Sequence, residues 1–86
     1  MDSRLIAGVS YLKSSKYRAQ IVILLHDNIM TPAELQQKLN IRLNHVILHL
    51  KELKEKEIIV CLNEDAKKGR LYQLSELGYE LYPHIK

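Results

Sequence analysis

Three features predict a mainly helical α+β fold with one small β-hairpin: apolar residues at helical spacing through most of the chain, a single β-branched run, and two short central helices. Too few residues separate those two helices for anything but a sharp turn, which is the shape of a helix-turn-helix.

The first element is a helix over residues 3–13, where Leu5, Ile6, Val9 and Leu12 share one face, with an interruption expected at Ser14–Ser15. From Lys16 to Asp27, Tyr17, Ile21, Leu24 and Leu25 make a second face. Val22 and Ile23 extend it around the cylinder, implying burial on more than one side. Periodicity alone would also permit a strand here; the length and the polar flanks favour a helix.

The third helix is the most sharply delimited. Thr31 stands as N-cap, Pro32 takes the first helical position, where a missing N–H costs nothing, and Glu34 completes a capping box. Leu35 and Leu39 are expected in the core, and Asn40 ends the helix because asparagine tolerates the left-handed conformation. Helix four begins near Arg42. At about 100° per residue, Leu43, Val46, Ile47, Leu50 and Leu53 fall within a stripe of roughly 120°, the expected core face, and Leu48 lies opposite.

Ile58–Leu62 and Leu71–Leu74 read as the strands of a hairpin. Their connection, residues 63–70, is polar and longer than a tight turn, and is predicted to project as a mobile loop. Leu74, Leu77, Gly78, Leu81, Tyr82 and Ile85 then mark a terminal amphipathic helix that Pro83 shortens. The expected limits are about 31–56 for the helix-turn-helix, 58–75 for the hairpin and 75–85 for the last helix, within one domain spanning 1–86.

Eighty-six residues, 47% hydrophobic, suit one modest core and exclude a second domain. A lone Cys61 cannot form an internal disulfide, which leaves self-association as the route to added stability. The single cysteine and the absence of a signal-like start predict a cytoplasmic protein, and the longest apolar run, Ile21–Leu25, is too short to cross a bilayer. A net charge of +3 favours an anionic partner only slightly, so placement matters more. Lys67, Lys68 and Arg70 cluster around Gly69, whereas Lys51 and Glu55, and Glu52 and Lys56, are spaced to compensate each other at i, i+4.

The order of helix, helix-turn-helix and basic-tipped hairpin is that of a winged helix. The pieces SSKYR (14–18), TPAELQQKL (31–39), NHVILHLKELKEK (44–56), VCLN (60–63) and KKGRLYQLSELG (68–78) resemble the small archaeal winged-helix transcriptional regulators of the ArsR/MarR type. That resemblance implies a homodimeric regulator of double-stranded DNA, with helix four in the major groove and the hairpin tip on phosphates or in the minor groove. Two positions depart from the family pattern. Ile47, Leu48 and His49 stand where small polar and basic residues are usual, and Glu57 stands where glycine is usual. Helix four is therefore expected to run on by a residue or to end with a different cap.

On this reading Arg42, Asn44, His45 and His49 point away from the core, and arginine and asparagine can pair in bidentate fashion with guanine and adenine. Leu48 can meet a thymine methyl or exclude water. Lys67, Lys68 and Arg70 would follow the phosphate backbone. Arg18 and Thr31 are further candidates, although a structural cap or a surface ion pair accounts equally well for Arg18. The alternative is a protein-interaction module that uses the apolar Ile47/Leu48 face. Leu5, Ile6, Val9, Leu77, Leu81, Tyr82 and Ile85 offer more apolar area than one small domain readily covers and are the expected dimer interface.

His45 and His49 have metal-ligand spacing without further ligands, and Cys61 reads as a small buried hydrophobe. There is no phosphate loop and no nucleophile with a base, so neither catalysis, a cofactor nor a small-molecule ligand is expected.

Overall fold

The computed structural model describes residues 2–86, in which five α-helices and a two-stranded antiparallel sheet follow one another in the predicted order. Helix α1 spans Ser3–Lys13 and α2 spans Lys16–Asp27. Asp2 caps α1 by accepting the Leu5 N–H at 2.9 Å. Between the two helices Ser15 is extended (φ −147, ψ 122), which breaks the helical run. α2 packs against α1, α3, α4 and β2. Its Ile21, Val22 and Leu25 are buried, while Ile23, expected to join them, remains exposed.

α3 covers Pro32–Leu39 and α4 covers Leu43–Glu55. The capping box is formed at both ends: the Glu34 N–H donates to Thr31 Oγ1 at 3.2 Å, and the Thr31 N–H donates to Glu34 Oε1 at 2.9 Å. The Thr31 N–H, and after it the Thr31 hydroxyl, donate to the ionised carboxylate and hold the Glu34 pKa below its usual value. Asn40 is left-handed (φ 55, ψ 45) and turns the chain toward α4.

The buried stripe of α4 is narrower than its apolar pattern. Val46, Leu50 and Leu53 are buried, whereas Leu43 and Ile47, expected in the core, are 40% and 51% exposed. The three buried residues lie within about 60° of the wheel. The helix is rotated so that the edge bearing His49 faces α2 and the edge bearing Leu43 and Ile47 faces solvent.

The end of α4 corrects a second expectation. The Ile58 N–H reaches Leu53 O at 3.0 Å and the Glu57 N–H reaches Lys54 O at 2.9 Å, the paired bonds of a Schellman motif. Glu57 therefore takes the left-handed conformation itself (φ 61), in the role glycine usually fills. A side chain there costs about 1 kcal/mol relative to glycine. Glu57→Gly is expected to stabilise the protein by roughly that amount, read as a higher denaturant midpoint at unchanged m-value.

Strands β1 (Ile59–Cys61) and β2 (Tyr72–Leu74) pair in register Ile59↔Leu74, Val60↔Gln73 and Cys61↔Tyr72. Met30 adds an isolated antiparallel bridge on the far side of β2, exchanging two backbone bonds with Tyr72 at 3.1 and 2.9 Å. That long-range contact had no signal in the sequence. Ser75 closes the base of the hairpin. Its hydroxyl lies 2.6 Å from Glu57 O and 2.9 Å from Ile58 O, and it accepts the Gly78 N–H at 3.1 Å as the N-cap of α5.

α5 spans Glu76–Leu81, and a 3-10 turn over Tyr82–His84 follows at Pro83. Its apolar stripe is used within the chain. Leu77 and Leu81, expected at an interface between chains, are core residues, 7% and 0% exposed. A Cβ on Gly8 of α1 would come within 2.8 Å of Leu81 Cδ2, so α1 and α5 are in close contact. Leu5, Val9 and Ile85 are half-buried against the same core, and Tyr82 stacks on His26 with ring centroids 3.7 Å apart. Of the expected interface set only Ile6 is largely exposed, at 53%.

Candidate nucleic-acid interface

α4 presents its N-terminal half to solvent. Arg42, at the N-cap, and Asn44 and His45 in the first turn are all exposed, and neither Arg42 nor His45 enters an ion pair among the described residues. Leu48 stands at the middle of the outward face, 53% exposed, as its wheel position predicts.

His49 differs from the expectation that it points away from the core. Its side chain is 18% exposed, its ring centroid lies 6.0 Å from that of Tyr17 on α2, and Nδ1 is 3.9 Å from Glu52 Oε1. Burial pushes its pKa below the ordinary 6.5, the nearby Glu52 carboxylate opposes that shift, and Arg18 and His45 add to it. Because folding favours the neutral ring, the associated stability is fully present above pH 6.5 and is lost as the pH falls through 6.5 toward the lower folded value. Denaturant midpoints across that window are expected to fall with pH in the native protein and to flatten in His49→Gln.

Arg18 is held within the fold. Its guanidinium carbon lies 4.1 Å from the centre of the Tyr11 ring, Nη1 donates to Ser14 Oγ at 2.9 Å, and Nη2 is 3.9 Å from Glu52 Oε2. It thereby ties α1, α2 and α4 together. The Thr31 hydroxyl is likewise engaged by Glu34, 3.1 Å from Oε1.

The loop over residues 63–70 carries hydrogen bonds of its own. Asn63 Oδ1 accepts the Leu71 N–H at 2.7 Å, and Asn63 Nδ2 donates to Gly69 O at 3.2 Å. Arg70, a candidate backbone contact, is turned inward and donates from Nε to Ala66 O and from Nη2 to Glu64 O, both at 2.9 Å. Gly69 takes the positive φ of 66° that the turn requires. Lys67 and Lys68 project from this frame, exposed and without a carboxylate partner among the described residues.

The charges along α4 are not arranged as their spacing suggests. Neither Lys51–Glu55 nor Glu52–Lys56 is paired; Glu52 faces Arg18 and His49, and Lys54 pairs with Glu64 of the loop. That pairing raises the Lys54 pKa and lowers the Glu64 pKa. Lys51 is left exposed one turn beyond Leu48, a cation on the outward face that i, i+4 spacing had assigned to a compensated pair. Among the described residues no three His, Cys, Asp or Glu side chains are grouped to hold a metal, and no helix is long and apolar enough to cross a membrane.

No family model and no curated protein matches the chain. Solved structures do. ZitR of Lactococcus lactis, solved in complex with DNA, aligns with a TM-score of 0.74 at 27% identity, covering 80% of this chain and 48% of that one. HlyU from Vibrio cholerae aligns over 99% of this chain and 90% of its own, with a TM-score of 0.75 at 24% identity. The fold is a winged helix. The adhesin competence repressor AdcR of Streptococcus pyogenes shares it, with a TM-score of 0.74 at 19% identity over 92% of this chain and 63% of that one. The chain spans about half the length of ZitR. A short turn joins α3 to α4, and residues 63–70 join the two strands of the hairpin.

Proposed function

We propose that this winged helix is a sequence-specific double-stranded DNA-binding transcriptional regulator that acts as a homodimer. The observation that carries the proposal is its likeness to ZitR, a protein solved on DNA. Two features of the chain support it: an exposed polar first turn on α4, and a wing whose Lys67 and Lys68 have no carboxylate partner among the described residues.

In this mechanism α4 enters the major groove. Arg42 offers the planar fork that fits guanine O6 and N7, Asn44 offers a donor and an acceptor matched to adenine, and His45 lies beside them. Lys67 and Lys68 follow the phosphate backbone and set orientation without reading sequence. Arg70 contributes by shaping the wing, Arg18 by holding α4 against α1 and α2, and Thr31 by starting α3. His49 contacts DNA at most at its exposed edge. Pairing through α1, where exposed Ile6 joins half-buried Leu5 and Val9, together with Tyr82 and Ile85 at the other end of the chain, would set two copies of α4 about 34 Å apart on a pseudo-palindromic site.

Replacing Lys67 and Lys68 with alanine is expected to weaken binding to specific and random duplexes alike and to flatten the salt dependence of log K by about 0.9 per lost phosphate contact. The measurement is a titration of labelled duplexes at several salt concentrations, with sedimentation giving the stoichiometry. No complex with any duplex at low salt would overturn the proposal and favour the alternative, a protein-interaction module using Ile47 and Leu48.

A further inference from the structure

The outward face of α4 has an apolar centre. Leu48 is 53% exposed, with Asn44 and His45 one turn before it and Lys51 and Glu52 one turn after. Ile47, 51% exposed, continues this surface toward Leu43. The core does not need these side chains: Val46, Leu50 and Leu53 already fill the buried stripe.

The surroundings favour an anionic partner. Arg42 and Lys51 are exposed on the same helix and Lys67 and Lys68 on the wing, while Glu52 is turned toward Arg18 and Glu64 toward Lys54. Glu55 shares the outward face but lies two turns beyond Leu48, at the end of the helix. Along the major-groove edges of the base pairs, the thymine C5 methyl is the apolar feature. A leucine pressed against a G·C edge would instead strip water from the cytosine amine and the guanine O6 without replacing their hydrogen bonds.

Resting on the DNA-binding proposal above, we infer that Leu48, at the middle of the outward face, reads a thymine methyl group. The half-site then carries thymine under the second turn of α4, next to the bases met by Arg42 and Asn44. Selectivity arises twice over, from the methyl that is buried and from the polar edge that a leucine cannot satisfy.

The test removes the methyl and nothing else. Duplexes are selected by the native protein from a randomised pool, then prepared again with deoxyuridine in place of thymidine, and both forms are titrated against the native protein and against Leu48→Ala. Because Leu48 is exposed, the variant retains its fold, which its thermal unfolding monitors. The native protein is expected to bind the uracil form about fourfold more weakly for each methyl in contact, the factor that follows from roughly 0.8 kcal/mol per buried methylene. In Leu48→Ala the difference between the two forms should shrink by about the fourfold factor of the methyl that Leu48 covers. Equal binding of both forms by the native protein would overturn the inference while leaving DNA binding intact. So would a thymine preference that persists undiminished in Leu48→Ala. Failure to retain any duplex would overturn the inference together with the DNA-binding proposal.

Discussion

Replacing Gly78 with alanine is expected to destabilise the protein by about 2–3 kcal/mol, although alanine is the better helix former by roughly 1 kcal/mol. The opposing effect is a close approach of backbone to backbone. A Cβ at position 78 would lie 2.4 Å from Ile58 O and 3.1 Å from Leu74 Cβ. Ile58 O cannot easily retreat, because it accepts the Ser75 N–H at 3.0 Å and lies 2.9 Å from the Ser75 hydroxyl. α5 would have to lift from the base of the hairpin, opening the contact between Leu81 and α1. A domain of this size has only about 4–13 kcal/mol of stability to lose, so the shift in urea midpoint should be large. An unchanged midpoint would show that α5 does not hold this position.

Two leucines on α4 are expected to respond very unequally to the same change. Leu50→Ala should cost about 3 kcal/mol, since Leu50 is 1% exposed and its removal leaves a cavity among the residues that α2, α3 and β1 pack onto α4. Leu48→Ala should change stability by no more than about 0.5 kcal/mol, because that side chain is in solvent. Parallel thermal or denaturant unfolding of the two variants checks the contrast. Equal losses would mean that α4 is rotated differently from the orientation that leaves Leu48 outside.

The limits of α3 were legible because their signals are local: Thr31, Pro32, Glu34 and Asn40 each act on backbone groups within a turn of themselves. The order of elements and the hairpin were legible for the same reason. The rotation of α4 was not. Its apolar stripe spans roughly 120°, wider than the face its neighbours cover, so Leu43 and Ile47 could be distinguished from His49 only once α2 was in place. Periodicity likewise marked Leu77 and Leu81 as buried without saying against what, and the partner is the chain's own core.

Glu57 departs from its local preference for a related reason. Local preference disfavours a left-handed glutamate, but two Schellman bonds and the Ser75 hydroxyl on the Glu57 carbonyl outweigh it. The exposure of Arg42, Asn44, His45, Leu48, Lys67 and Lys68 agrees with what spacing and charge predict. Arg18 and Arg70 were not separable from them, since an arginine that donates to nearby carbonyls or stacks on a tyrosine looks the same in sequence as one left free.

The Ser75 bonds at the root of the hairpin also make wing length an independent variable. With Glu57 and Ser75 pinned together, extra residues between Asn63 and Arg70 would lengthen a loop whose ends are already held, at about 0.6 kcal/mol per doubling of its length. The length of this tip can therefore change while the core stays in place, at the expense of the bonds of Asn63 and Arg70 within the loop and of the Lys54–Glu64 pair.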